Sequence, residues 1–125
     1  MDTFEKIYNA LKDYCLSKSN ARWTVGHVQF YKDETDCFDT SCSFDILTKY
    51  NHQELLGSCH IVLINKEPFI GSLTVVFNPY KEDTDNIGNV HPSIVLPPTR
   101  YAQSGEFLGR YFYLLVDELY YMTSF

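Results

Sequence analysis

No stretch of this 125-residue chain is apolar enough to cross a bilayer; the longest purely aliphatic run is Ile61–Ile64. Basic residues are also scarce. Ten Lys and Arg stand against sixteen Asp and Glu, a net charge of −6, which opposes direct binding to nucleic-acid backbones. Glycine (6) and proline (5) are few, and the glycines form neither a Walker-type nor a dinucleotide-binding loop. Cysteine is limited to Cys15, Cys37, Cys42 and Cys59, with no Cys-x-x-Cys, too sparse for a disulfide scaffold. None of the seven Asn residues opens an Asn-x-Ser/Thr acceptor, and Met1-Asp2-Thr3-Phe4-Glu5 lacks the basic start of a secretory signal. The expectation is a cytoplasmic protein with free thiols and no membrane partner.

What the chain does have is apolar mass. It is 45% hydrophobic, and nine Phe, ten Tyr and one Trp supply its rings. That composition excludes disorder, and the length fits one domain spanning residues 1–125. Phe4, Ile7, Tyr8, Leu11, Tyr14 and Cys15 recur with a helical period, and Asp2 and Glu5 have capping-box spacing, predicting a helix from Thr3 to Leu16. A strand is expected over Arg22–Tyr31, with Trp23, Val25, His27, Gln29 and Tyr31 on one face and Val28 and Phe30 on the other. Ser41–Tyr50 reads as a second strand. Ser58–Asn65 is apolar on both faces and reads as a central third. The fourth is expected over Phe69–Phe77, with Phe69, Gly71, Leu73, Val75 and Phe77 sharing a face. A short fifth, Val90–Leu96, contains Pro92 and so belongs at an edge. Ser104 is a candidate N-cap for a last helix whose stripe is Leu108, Tyr111, Phe112, Leu115, Leu119 and Met122.

Short connections favour an antiparallel meander, because parallel neighbours need long crossovers. The expected fold is therefore two-layer α+β: a four- or five-stranded antiparallel meander sheet with the N-terminal and C-terminal helices packed on one face. Five of the six net negative charges fall in two stretches, residues 32–39 and 81–85. In a meander these connections lie at opposite ends of the sheet, which argues against one contiguous acidic face.

The same parity gathers His52, Cys59, His60, Asp83, Asp85 and His91 toward one end, and these are reasonable metal-ligand types. Their spacing is wrong for a site, since Cys59 and His60 are neighbours in a strand and point to opposite faces. No metal or other cofactor is expected. Asp83–Gly88 imitates a calcium loop but carries Ile87 and Ile94 where oxygen ligands are required. No Gly-x-Ser-x-Gly elbow exists, and no catalytic residue is assigned. An enzyme would have to be centred on His52, His91 and a cysteine. Gly105 and Gly109 have a spacing that suits close helix packing.

The terminal helix is the richest stretch in rings: Phe107, Tyr111, Phe112, Tyr113, Tyr120, Tyr121 and Phe125 exceed what one buried stripe needs. Tyrosine joins a large contact area to a polar tip, which suits interfaces. The expected function is a non-enzymatic, acidic protein-binding module, an inhibitor, immunity or anti-defence protein, or chaperone. Its partner, possessing a basic surface, would meet Asp33, Glu34, Asp36, Asp39, Tyr113, Tyr120 and Tyr121. The same helix would equally serve a homodimer. The alternative is a domain that binds or sequesters an anionic or nucleotide-like ligand through Arg100, Tyr101 and Arg110.

Overall fold

A computed structural model describes residues 3–32, 40–50, 54–80, 92–101 and 104–122, without the side chains of Lys32, Thr40 and Arg100. The first helix, α1 (Thr3–Ser17), buries Phe4, Ile7, Tyr8, Leu11 and Cys15, the spacing of one helical face. Its end is closed by the Lys18 amide and the Ser17 hydroxyl, both donating to the Tyr14 carbonyl at 2.9 and 3.0 Å. Asp2, the expected cap, lies outside the described residues.

Five strands follow: β1 (Trp23–Lys32), β2 (Thr40–Thr48), β3 (Leu55–Ile64), β4 (Ser72–Pro79) and β5 (Ser93–Leu96). They form one antiparallel meander in the order β1-β2-β3-β4-β5, so β3 is central, as its two apolar faces required. The strand ends that carry connections 33–39 and 81–91 stand at opposite ends of this sheet. A short helix, α2 (Pro98–Tyr101), and a long one, α3 (Gly105–Met122), complete the fold. Pro98 opens α2, where a missing N–H costs nothing. Ser104 caps α3: its carbonyl accepts from the Leu108 amide at 2.9 Å and its hydroxyl from the Phe107 amide at 3.4 Å.

Alternation places Cys42, Phe44 and Ile46 of β2, Cys59 and Ile61 of β3, and Leu73, Val75 and Phe77 of β4 on one face. They join the apolar faces of α1 and α3 in a single core. The two-layer α+β arrangement is thus the observed one. α1 and α3 meet closely at Gly109, where a Cβ would stand 2.4 Å from the Ala10 carbonyl oxygen. Gly105, four residues earlier, has nothing within 4 Å, so only the second glycine of the pair is used for packing.

Three expectations require correction. In β1, Gly26 pairs with Asp45 and Gln29 with Ser43, so three steps on β1 match two on β2. The extra residue makes a bulge at His27, which has φ 53°. Beyond it the alternation inverts: Val28 and Phe30 share the core side with Trp23 and Val25, and Phe30 meets Tyr8 edge-on at 6.4 Å. Gln29 and Tyr31 turn away together, joined by a hydrogen bond from the tyrosine hydroxyl. Second, Phe69 and Gly71 precede β4 and form the turn out of β3, with Gly71 at φ +78°. Third, Met122 is exposed, while Tyr113 and Val116 join the core.

Candidate functional site

Tyr113 is 4% exposed. Its ring stacks on Trp23 at 4.7 Å and 8°, and the Lys18 ammonium sits 4.2 Å from its centroid on the way to solvent. Trp23 Nε1–H donates to Asp117 Oδ1 at 2.8 Å, so one carboxylate on α3 holds the indole that supports the tyrosine. Burial and the Asp117 charge push the Tyr113 phenol up to about 12. This ring is therefore a core element, which corrects its assignment to a partner surface. Tyr120 is half-buried and edge-on to Phe77 at 5.7 Å. Tyr121 alone of the three is a surface ring, at 59% exposure. Asp33, Glu34, Asp36 and Asp39 lie outside the described residues.

The residues of the ligand reading do not assemble into one described site. The Tyr101 hydroxyl donates to the Gly71 carbonyl and so braces a turn. Arg110 lines a concavity of about 260 Å³ on α3 with Tyr14, Ser104, Glu106 and Phe107; Tyr101 is not part of it. The Arg100 side chain lies outside the described residues. A neighbouring groove of about 510 Å³ between α1 and the start of α3 is lined by Lys6, Asn9, Asp13 and Glu106 among others. Its charged lining is one cation, Lys6, and two carboxylates, Asp13 and Glu106.

His52, His91, Asp83, Asp85 and Cys37 lie outside the described residues. Cys59 is wholly buried on the core face, and burial raises its thiol far above the ordinary range. His60, its neighbour, lies on the opposite face across from Ser43, as strand alternation dictates. Among the described residues no group of three His, Cys, Asp or Glu is placed to hold a metal ion. No described helix is long and apolar enough to cross a membrane.

A further concavity among the described residues is one the sequence did not reveal. At the β3–β4 turn, Pro68, Phe69 and Ile70 meet Val95, Pro97 and Pro98 around an apolar recess of about 340 Å³. Phe69 is 52% and Ile70 57% exposed. Yet their backbone is firmly tied. The Phe69 amide donates to the Lys66 carbonyl at 2.7 Å, and the Gly71 amide to the Ile64 carbonyl at 2.8 Å. The Phe69 carbonyl accepts from both the Ser72 amide at 3.0 Å and the Ser72 hydroxyl at 2.6 Å. Gly71 is required twice: its φ is left-handed, and a Cβ would press on Pro98 Cγ at 3.3 Å. The available signal was Pro68 and Gly71 bracketing Phe69 and Ile70, a turn signature overridden by an apparent period of two.

Comparison with protein-family models, with curated proteins and with solved structures found no match to this chain.

Proposed function

We propose that the chain is a non-enzymatic protein-binding module, acting as an inhibitor, immunity or anti-defence protein, or chaperone of another protein. The recess at the β3–β4 turn seats an apolar side chain of that partner. The supporting observation is a hydrogen-bonded backbone that holds Phe69 and Ile70 in water beside Val95 and two prolines. The turn's backbone is braced before any partner arrives, so binding there has little backbone left to order. Burying a Phe or an Ile from full exposure contributes roughly 1.5–3 kcal/mol, and covering these half-exposed side chains about half of that each.

The reading is tested by capturing tagged protein from lysate of its native host and quantifying co-purifying proteins by mass spectrometry. Phe69→Ser/Ile70→Ser is run in parallel. The wild type should retain a stoichiometric protein partner that the variant loses, while the variant keeps the wild-type circular dichroism. Equal capture by both forms, or no partner on either, would overturn it.

A further inference from the structure

We infer that α3 is also a self-association surface on which two copies of the chain pair antiparallel about a two-fold axis at Leu114. This surface is separate from the recess, none of whose lining residues belongs to α3. The core side of α3 is occupied by Leu108, Phe112, Val116 and Leu119. Leu114, about 200° around the helix from Phe112, should then be flanked by polar residues, as on an ordinary surface helix. It is 55% exposed, and the positions seven before and seven after it are Phe107 and Tyr121, both exposed. Three large apolar side chains thus follow a heptad line along the outside of an 18-residue helix, drifting only about 20° per step. That is the heptad spacing of a helix-pair seam.

The flanking charges indicate what the second helix is. On one side of the seam stand Arg110 and Asp117, and on the other Tyr111 and Glu118. Each flank is nearly symmetric about Leu114, four residues one way and three the other. An antiparallel two-fold brings like flanks together. Arg110 then faces the second copy's Asp117, whose Oδ1 already accepts from Trp23 within its own chain, and the half-buried Tyr111 faces the second copy's Glu118, each twice by symmetry. Phe107 meets the second copy's Tyr121, and Leu114 meets its own counterpart. A parallel pair joins unlike flanks, placing Asp117 beside the second copy's Glu118, two like charges at the seam. The side chains on α3 therefore match a second α3 in one direction and oppose it in the other.

Sedimentation velocity of the full chain over a concentration series tests this. The wild type should pass from 14.6 kDa to twice that mass as concentration rises. Leu114→Glu removes the central contact in both copies and should raise the dissociation constant at least about a hundredfold, with unchanged circular dichroism. Arg110→Asp, at an exposed position, should weaken the pair about tenfold or more by setting like charges together. Direction is read by mixing Phe107→Cys with Tyr121→Cys under mild oxidation and mapping the linked peptides: a 107–121 link supports the antiparallel pair. A wild type monomeric throughout, a dimer indifferent to both Leu114→Glu and Arg110→Asp, or a 107–107 link would overturn the proposal.

Discussion

The two long helices lie on the same face of the sheet and bury comparable apolar stripes, yet their outer surfaces differ. α1 turns Glu5, Lys6, Asn9, Lys12 and Asp13 to water, with Leu16 at its end. α3 turns out Phe107, Leu114, Tyr121 and Met122 among its exposed Glu106, Arg110 and Glu118. Covering the core asks only for one apolar stripe per helix. α1 stops there. The second line on α3 is exposed apolar area beyond the core stripe, the area on which the proposed self-association rests. Aromatic content alone does not separate the two roles, since Tyr113 and Tyr121 stand on the same helix, one in the core and one in solvent.

The sharpest way to break this comparison is to truncate one ring from each line. Tyr113→Ala should destabilise the fold by about 3–5 kcal/mol, the scale for a large buried aromatic, because it leaves Trp23 without its stacking partner. Tyr121→Ala, measured in the same urea titration at a concentration where the chain is monomeric, should stay within about 0.5 kcal/mol of wild type. Similar losses from both would mean that the two lines share one structural role.

A smaller effect is expected where the helices touch. Gly109→Ala drives a methyl into the Ala10 carbonyl and to 3.1 Å from Tyr14 Cβ, so α1 and α3 must separate. Overpacking of this kind costs about 1–3 kcal/mol, offset in part by the roughly 1 kcal/mol by which alanine outranks glycine in a helix. Gly105→Ala meets nothing within 4 Å and should gain that propensity without the clash. Thermal melts of the two variants should therefore move in opposite directions.

Alkaline pH gives the mildest probe of the inner line. The Tyr113 phenol moves from an ordinary value of 10.0 up to about 12, and the Cys15 thiol from 9.0 up to about 12, burial being the first cause in both. A folded-state value raised above the unfolded one means that folding favours the neutral form. The stabilisation is complete below the unfolded values and is lost as pH climbs from about 9 toward 12. Melting temperature should fall across that window. Tyr113→Phe, which keeps the ring, should flatten the part between pH 10 and 12.

Much of the fold was readable in residue order. Short connections favour a meander, β3's apolar faces favour a central position, and Pro92 points to an edge for β5. The His27 bulge was not readable, because a register shift is a relation between two strands, and β1 alone shows an unbroken alternation. For the same reason Phe69 looked like the start of β4 until the turn at Gly71 removed it from the sheet. On α3, a period of 3.6 shows that Tyr113 and Tyr121 point different ways. It does not say which of them meets Trp23.

By itself, then, the sequence determined the two-layer α+β architecture, the start of the last helix at Ser104, the end of the first helix to within one residue of Ser17, and the absence of nucleotide-loop and zinc-knuckle spacings, since each is a local property of spacing and turn chemistry. Tertiary structure alone decided which aromatic rings became core and which stayed in water, and it created the recess from residues 68–72 and 95–98. Those features depend on segments far apart in the chain being pressed together, and only packing brings Pro68 to Pro98 or Tyr113 to Trp23.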